Sequence, residues 1–129
     1  MPQHPKPGAV LFGKNLPRLA QFYAQVADMS ITLEETRLIV LESEVYQLVL
    51  HALPAAVAKK VVIETPPTLR EDLPVKLVFP VPDLATARQQ AAALGGGLSA
   101  LDQQWQARNF RACDGFDPEG NVVQFRETL

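Results

Sequence analysis

The chain has 129 residues, of which 47% are apolar and 20% charged, enough for one compact folded unit. Twelve basic residues against 14 acidic ones give a formal net charge of −2 without a basic stripe, which disfavours nucleic acid or an anionic membrane as partner. The sequence has no apolar run approaching the roughly 18 residues of a membrane span and no signal-peptide core near its start, so we expect a cytoplasmic protein. The single cysteine, Cys113, fits a reducing compartment.

The first part of the chain predicts a strand, a helix and three further strands. An apolar run from Gly8 leads to Asn15, a residue type that caps helices, and the next apolar positions have helical spacing. These positions are Leu16, Leu19, Ala20 and Tyr23. Short β-rich runs then cover residues 30–33, 38–41 and 45–51. We interpret them as an antiparallel meander.

Proline divides the chain in the middle and marks its first residues. Residues 64–74 are too rich in proline to continue a helix or a central strand, so they should connect two units. Residues 54–60 favour a short helix begun by proline. Residues 1–7 are expected to form a loosely held arm, with His4 as an ordinary tail residue.

The second part of the chain repeats the first. Residues 76–95 align with residues 8–27 without a gap, with Asp83 in the place of Asn15 and a helical stripe that ends at glycines. Weaker β-rich runs follow at 97–101, 108–115 and 121–127, and Gln124 aligns with Gln47 in the closing strand. We therefore predict a single α+β domain of two tandem βαβββ modules, at about 8–53 and about 74–127, joined by a linker at about 54–73.

The paired modules, the helix opening at 15–23 and the Asp-Pro-Glu-Gly-Asn turn at 117–121 resemble the vicinal oxygen chelate superfamily. That superfamily includes glyoxalase I, extradiol dioxygenases, and fosfomycin and bleomycin resistance proteins, and the resemblance covers residues 8–127. It implies two sheets curled into a half-open barrel around a shared cavity, with the helices outside. It also implies a homodimer, for which the exposed sheet edges give a physical reason.

The resemblance also indicates where a metal would bind. Metal enzymes of the superfamily take ligands from the first and last strand of each module, which the repeat alignment places at Gly8, Gln47, Lys76 and Gln124. None is a histidine or a carboxylate, an ammonium repels a cation, and carboxamide oxygens alone are weak ligands. We therefore expect no metal and no cofactor, and we assign no catalytic residue. Whether the protein is an enzyme stays open.

Side chains on the same strand faces predict a mostly apolar pocket with a few polar groups. We expect seven residues to contact a ligand: Phe12, Gln47, His51, Lys76, Trp105, Gln124 and Arg126. Lys76 and Arg126 favour an anionic or electronegative group, and Trp105, in an irregular stretch at 101–109, would act as a lid. The competing interpretation is that the polar groups only satisfy each other, that Trp105 covers the core edge and that His51 lies at the surface.

Three function classes remain open, and we favour the first. It is a metal-independent small-molecule binding protein similar to the bleomycin resistance branch. The second is a lyase, isomerase or dioxygenase-like enzyme with an atypical metal site, or one that uses Lys76 as nucleophile or base. The third is a non-catalytic interaction module. Asp114 and Asp117 are interpreted as turn residues and Cys113 as a small buried residue.

Overall fold

The computed structural model describes residues 4–129. Their strands and helices follow the predicted order, with additional short elements in the second half. The first half contains β1 (Gly8–Gly13), α1 (Leu16–Val26), β2 (Ser30–Glu35), β3 (Leu38–Glu42), β4 (Gln47–Ala52) and α2 (Ala55–Ala58). The second half contains β5 (Leu77–Pro80), α3 (Leu84–Ala93), β6 (Gly97–Leu98), a 3₁₀ turn (Leu101–Gln103), β7 (Trp105–Gln106), β8 (Phe110–Phe116) and β9 (Val122–Thr128).

Both long helices begin at the predicted capping residues. The side chain of Asn15 accepts a hydrogen bond from the backbone N–H of Arg18 at 3.2 Å, and that of Asp83 accepts one from Thr86 at 2.7 Å. Each bond satisfies a donor that the first turn of a helix leaves free. Helix α3 ends before Gly95, whose φ of 92° suits glycine.

The strands form two separate sheets, one from each half. Sheet one has the order β1-β4-β3-β2, and sheet two has the order β5-β9-β8-β6, with β7 also paired to β8. In each sheet the first strand is parallel to the last strand of its βαβββ unit and the other pairs are antiparallel. The sheets are not closed into a barrel. The α+β fold with two tandem βαβββ units is therefore confirmed.

The strand register corrects one detail of the repeat. In sheet one Gly8 lies opposite Gln47 and Val10 opposite Val49, whereas in sheet two Val78, the counterpart of Val10, lies opposite Gln124. Gln124 is therefore the counterpart of Val49 rather than of Gln47. Because a shift of two residues keeps a side chain on the same side of a sheet, Gln124 still lies on the predicted face.

The two sheets and the two long helices share one core. Helix α1 contributes Phe22 and Tyr23, which are fully buried. The ring of Tyr23 lies 5.0 Å from that of Phe79, and the ring of Phe22 lies 6.4 Å from that of Phe125. A helix of the first half thus packs against the sheet of the second half, and each sheet turns its other side away from this core.

The turn at 117–121 connects the second half of the chain to α1 through hydrogen bonds. The buried carboxylate of Asp117 accepts hydrogen bonds from the hydroxyl of Tyr23 at 2.7 Å and from the side-chain amide of Asn121 at 2.8 Å. Its other oxygen accepts from the backbone N–H groups of Glu119 and Asn121, at 2.9 and 3.1 Å. The turn was predicted, but the tie of Asp117 to a tyrosine in the other module was not.

Glu119 from the same turn binds the start of α1. Its carboxylate accepts hydrogen bonds from the backbone N–H of Lys14 at 2.9 Å and from that of Asn15 at 2.7 Å. A negative charge at a helix N-terminus also interacts favourably with the helix dipole. Two neighbouring carboxylates, Asp117 and Glu119, therefore orient one half of the protein on the other.

Two local predictions are wrong in sheet two. Residues 101–109 are not irregular throughout, because Trp105 and Gln106 pair with β8 opposite Ala112 and Arg111. Asp114 does not lie in a turn but inside β8, opposite Gln124.

The expected arm is held at its inner end. Residues 1–3 lie outside the described part of the chain. The Nζ atom of Lys6 donates to the carbonyl of Ser43 at 2.8 Å, and the carbonyl of Pro7 accepts from the N–H of Gln47 at 3.0 Å. Within residues 4–129 no helix has the length and hydropathy needed to span a membrane.

Candidate functional site

The seven predicted ligand-binding residues lie on two sheet faces. We call the side of sheet one that is turned away from the helices open face one; it carries Phe12, Gln47 and His51. The corresponding side of sheet two, open face two, carries the remaining four: Lys76, Trp105, Gln124 and Arg126. The structure therefore places all seven on sides turned away from the core, but it divides them between two sheets, and Trp105 lies in a strand and not in the irregular stretch that the sequence predicted.

Open face one is mainly apolar, with a histidine at one end. Phe12 lies opposite His51 in the β1–β4 pair, and their ring centroids are 5.4 Å apart. The Nδ1 atom of His51 lies 2.9 Å from the carbonyl oxygen of Ala52, which favours the tautomer with a hydrogen on Nδ1 and leaves Nε2 as an acceptor. The exposed fractions of Val10 and Phe12, 57% and 49%, show that this face has no cover within one chain.

The carboxylate nearest to Gln47 is already engaged. Glu42 lies opposite Gln47 and accepts a hydrogen bond from the hydroxyl of Thr32 at 2.8 Å, while Lys6 approaches it to 3.1 Å. The Thr32 bond, followed by Lys6, lowers the pKa of Glu42 from its usual value. Glu42 is thus an ionised, paired group at the margin of the face.

Open face two carries a continuous chain of polar contacts. The Nζ atom of Lys76 lies 2.7 Å from Oδ2 of Asp114, and the side-chain amide of Gln124 donates to Oδ1 of Asp114 at 3.4 Å. The Nε atom of Arg126 donates to Oε1 of Gln124 at 2.7 Å. The chain crosses from the start of β5 to β8 and β9 and carries two positive charges against one negative charge.

Aromatic rings border the arginine end of this chain. The guanidinium carbon of Arg126 lies 4.2 Å from the centroid of the Phe110 ring, a distance typical of a cation–π contact. Trp105 lies opposite Ala112, which lies opposite Arg126, so the three residues share one row of the sheet. Because Nε of Arg126 is engaged with Gln124, its two terminal nitrogens are left to face a ligand.

Asp114 is the site residue that the sequence did not reveal. The Asp114-Gly115 pair is typical of a turn, yet β8 continues through it. Gly115 is a glycine for a packing reason, since a side chain there would overlap the carbonyl oxygen of Gly97 and the ring of Phe125. The β-rich run at 108–115 already contained Asp114, and the alternation along it would have placed Asp114 on the face of Gln124 had the Asp-Gly pair not been interpreted as a turn.

The four positions that the sequence assigned to metal ligands do not fit a divalent cation in this chain, and replacing Gln47 by Val49, the counterpart of Gln124 in the observed register, adds no donor. A Cβ atom on Gly8 would overlap the carbonyl oxygen of Gln47, so that position cannot carry a ligating side chain without a backbone shift. Lys76 is a cation paired with Asp114, and the glutamines supply only neutral oxygens. Among residues 4–129 there is no group of three or more histidine, cysteine, aspartate or glutamate side chains that could hold a metal ion.

The ion pair also bears on Lys76 as a nucleophile. A nucleophilic or basic lysine needs a free Nζ atom that can reach the substrate. The Nζ atom of Lys76 is instead engaged by the carboxylate of Asp114 at 2.7 Å. The geometry therefore favours a binding role for Lys76 over a covalent one.

Cys113 takes no part in either open face. It lies opposite Phe125 on the helix side of sheet two and is fully buried. Burial raises the pKa of its thiol, although the nearby Arg88 acts in the other direction. This agrees with the interpretation of Cys113 as a small core residue.

Several solved structures have a similar fold over nearly the whole length of this chain. A glyoxalase/bleomycin resistance protein/dioxygenase family enzyme from Burkholderia phytofirmans PsJN superposes with a TM-score of 0.68 at 17% identity, over 95% of this chain and 97% of that one. A glyoxalase-related enzyme from Fulvimarina pelagi gives 0.67 at 15% identity, over 98% and 89%. The fosfomycin resistance protein FosX from Mesorhizobium loti gives 0.65 at 11% identity, over 100% and 95%.

The chain therefore has the fold of the vicinal oxygen chelate superfamily, as its duplicated units and its turn at 117–121 predict. No protein-family model and no curated protein matches its sequence. At these identities the likeness concerns the fold, and the activity has to be argued from this chain's own residues.

Proposed function

We propose that the protein is a metal-independent binding protein for a small organic anion, held between open face two and open face one of a second copy in a cytoplasmic homodimer. The observation that carries the proposal is the polar chain from Lys76 to Arg126 beside the rings of Phe110 and Trp105. Such a combination of an apolar surface with a few convergent polar groups is the usual composition of a small-molecule site.

The charges of open face two select the kind of ligand. Lys76 and Arg126 contribute two positive charges and Asp114 one negative charge, so the face carries a net charge of 2 − 1 = +1. The terminal nitrogens of Arg126 form a planar fork that matches two oxygens of a carboxylate or a phosphonate. The rings of Phe110 and Trp105 would contact the apolar part of the same molecule.

A second copy would complete the site. Open face one adds a larger apolar surface, with the side chains of Phe12, Gln47 and His51. Phe12 is about half exposed in a single chain, and covering such side chains is the usual driving force for association. Pairing unlike faces twice, related by a two-fold axis, would bury both copies of each face.

The donor set supports metal independence. The side chains at the four family positions do not form a cation site, for the reasons given above, and Arg126 can supply the positive charge that a metal would otherwise provide to an anionic ligand. Metal-dependent turnover would need donors from outside these positions. A purely structural interaction module would bind no small molecule at all.

The test combines ligand discovery with one substitution. Native mass spectrometry of the purified protein reads subunit number, metal and any retained organic mass, and a thermal-shift panel of aromatic and aliphatic carboxylates and phosphonates, with and without EDTA, finds ligands. For any ligand found, Arg126→Met should lower affinity about 10-fold to 100-fold, because it removes charge-assisted hydrogen bonds. The matched control is Arg37→Met, on the exposed β2–β3 turn.

Each outcome separates the three function classes. Binding that survives EDTA and falls in the Arg126→Met protein supports the proposal. Stoichiometric metal in each subunit, with binding lost in EDTA, would replace it with a metal enzyme. A dimer that binds none of the panel and carries no organic mass would leave the interaction module as the better account.

A further inference from the structure

A cavity lies beside the Lys76 end of the polar chain, in the slot between β1 and the β5–β9 pair. It has a volume of about 350 Å³. Ala9 and Leu11 of β1 form one wall, Leu77 and Val123 of sheet two form the other, and the buried ring of Tyr23 lines it. The slot therefore exists only because the two halves pack side by side.

The lining offers almost nothing to a polar ligand. It contains no charged side chain, and its two polar side chains are Tyr23 and Asn121. The hydroxyl of Tyr23 and the side-chain amide of Asn121 each donate to the buried carboxylate of Asp117, at 2.7 and 2.8 Å. A ligand with a charge would lose its hydration here without a partner, which makes its binding unfavourable.

The mouth of the slot has an apolar rim, and beyond Leu73 and Val75 lies a separate polar hollow that contains Lys76 and Asp114. Leu73, Pro74 and Val75 lead into β5 and line the slot, and Leu73 and Val75 are 53% and 67% exposed. Exposed apolar side chains beside an apolar hollow gain by contact with an apolar molecule that enters it. The volume exceeds the roughly 150 Å³ of an engineered cavity that binds benzene, so it suits one or two rings.

We propose that this slot is a second binding site, which takes a neutral aromatic or aliphatic molecule of one or two rings. This second site goes beyond the proposed function, since it prefers neutral ligands whereas open face two prefers anionic ones. A ligand here would contact both halves of the chain at once and would stabilise their packing by mass action.

The experiment uses the full chain and two fluorescent probes that differ in charge. N-phenyl-1-naphthylamine is neutral, and 1-anilinonaphthalene-8-sulfonate is its anionic relative. The neutral probe should bind the wild-type protein saturably, near one per subunit. The sulfonate is tested in the Arg126→Met protein, in which open face two has lost its anion-binding arginine, and should bind there at least about tenfold more weakly than the neutral probe because the slot cannot pair its charge. Ala9→Leu, which fills the slot, should weaken the neutral probe about tenfold or more through steric overlap.

Three further variants make the result specific. Val75→Glu places a charge at the exposed mouth, where folding is not at risk, and should also weaken the neutral probe. Ala85→Leu, on the exposed side of α3, is the matched control for Ala9→Leu and should leave binding unchanged. Arg126→Met should also leave it unchanged, which separates this site from open face two.

The proposal is overturned if the wild-type protein gives no saturable signal with the neutral probe, including the case in which a second copy covers the slot. It is also overturned if neither Ala9→Leu nor Val75→Glu weakens binding.

Discussion

Asp117 is a buried carboxylate whose environment acts on its ionisation in two directions. Burial raises its pKa, while the hydrogen bonds from Tyr23, from Asn121 and from the backbone act to lower it. The net effect is a raised pKa of Asp117. The same surroundings raise the pKa of Tyr23 well above its usual value, first through burial and then through the charge of Asp117. The two groups therefore meet as a neutral phenol and a carboxyl group whose ionisation is disfavoured.

This raised pKa predicts how stability changes with pH. Unfolded Asp117 loses its proton near pH 4, whereas the folded protein keeps it to a higher pH, so between these values the unfolded state binds fewer protons. The contribution of Asp117 to the free energy of unfolding should therefore fall as pH rises from about 4 and become constant above the folded-state pKa. Urea unfolding of the wild-type and Asp117→Asn proteins, repeated across pH, isolates this contribution as their difference.

The direction in which this difference in stability changes with pH tests the prediction. Asn cannot ionise, so the stability of the wild-type protein relative to Asp117→Asn should decrease with rising pH. A relative stability that increases with pH would mean that the hydrogen bonds outweigh burial and that the pKa is lowered. As a control, Asp102→Asn, in the exposed 3₁₀ turn, should leave the pH profile unchanged.

Single residues also mark the limit of local sequence reasoning. Asn15 and Asp83 were predicted as caps because a cap depends only on the next few residues. Asp114 was assigned to a turn because the Asp-Gly pair is common in turns, and only its pairing with β9 shows otherwise. The partner of Asp117, Tyr23, lies in the other module, and no local pattern connects the two.

At the level of elements, α1 depends on a cap supplied by the other half of the chain. Glu119 accepts the backbone N–H groups of Lys14 and Asn15 in addition to the bond that Asn15 makes within the helix. Glu119→Ala would leave these two donors without their partner and should lower the free energy of unfolding by about 2–3 kcal/mol. Glu119→Gln keeps one acceptor oxygen and should cost about half as much.

Urea or thermal unfolding measures this series. Glu44→Ala, an exposed glutamate in the β3–β4 turn, is the control and should change stability by less than about 0.5 kcal/mol. If Glu119→Ala costs no more than Glu44→Ala, the cap does not stabilise the association of the two halves.

Most elements were predictable from the sequence, and the exceptions depend on how strands pair with one another. Long periodic segments such as α1, and strands with clear alternation, specify themselves through their own residues. The strand at Trp105–Gln106 is only two residues long and exists because β8 offers an edge to pair with. The predicted alignment of Gln124 with Gln47 was wrong by two residues because two similar closing strands align equally well in more than one register.

At the scale of the whole molecule, the sequence predicted two modules but not how the site residues divide between them. Alternation shows which residues share a face of one strand, and it correctly placed Gln47 with His51 and Gln124 with Arg126. It contains no information on which sheet faces which. That relation depends on long-range packing, here on Phe22 and Tyr23 against sheet two.

The homodimer yields the last prediction. Phe12 lies on open face one with 49% of its surface exposed, so Phe12→Asp removes little core packing from a single chain but places a charge where the second copy would pack. We expect sedimentation velocity to show a dimer for the wild-type protein and a shift toward monomer for Phe12→Asp, with an unchanged circular dichroism spectrum. Val62→Asp, at a linker residue that is 77% exposed, adds the same charge away from both open faces and should remain dimeric.

The same variant separates the dimer from the binding site. Because open face two is untouched in Phe12→Asp, the monomer would retain Arg126 and Lys76 but lose the apolar cover, and ligand affinity should fall together with dimerisation. A variant that becomes monomeric and still binds the ligand as well as the wild-type protein would show that open face two is sufficient alone. A wild-type protein that remains monomeric at all concentrations would remove the second copy from the proposal, since nothing would then enclose the ligand.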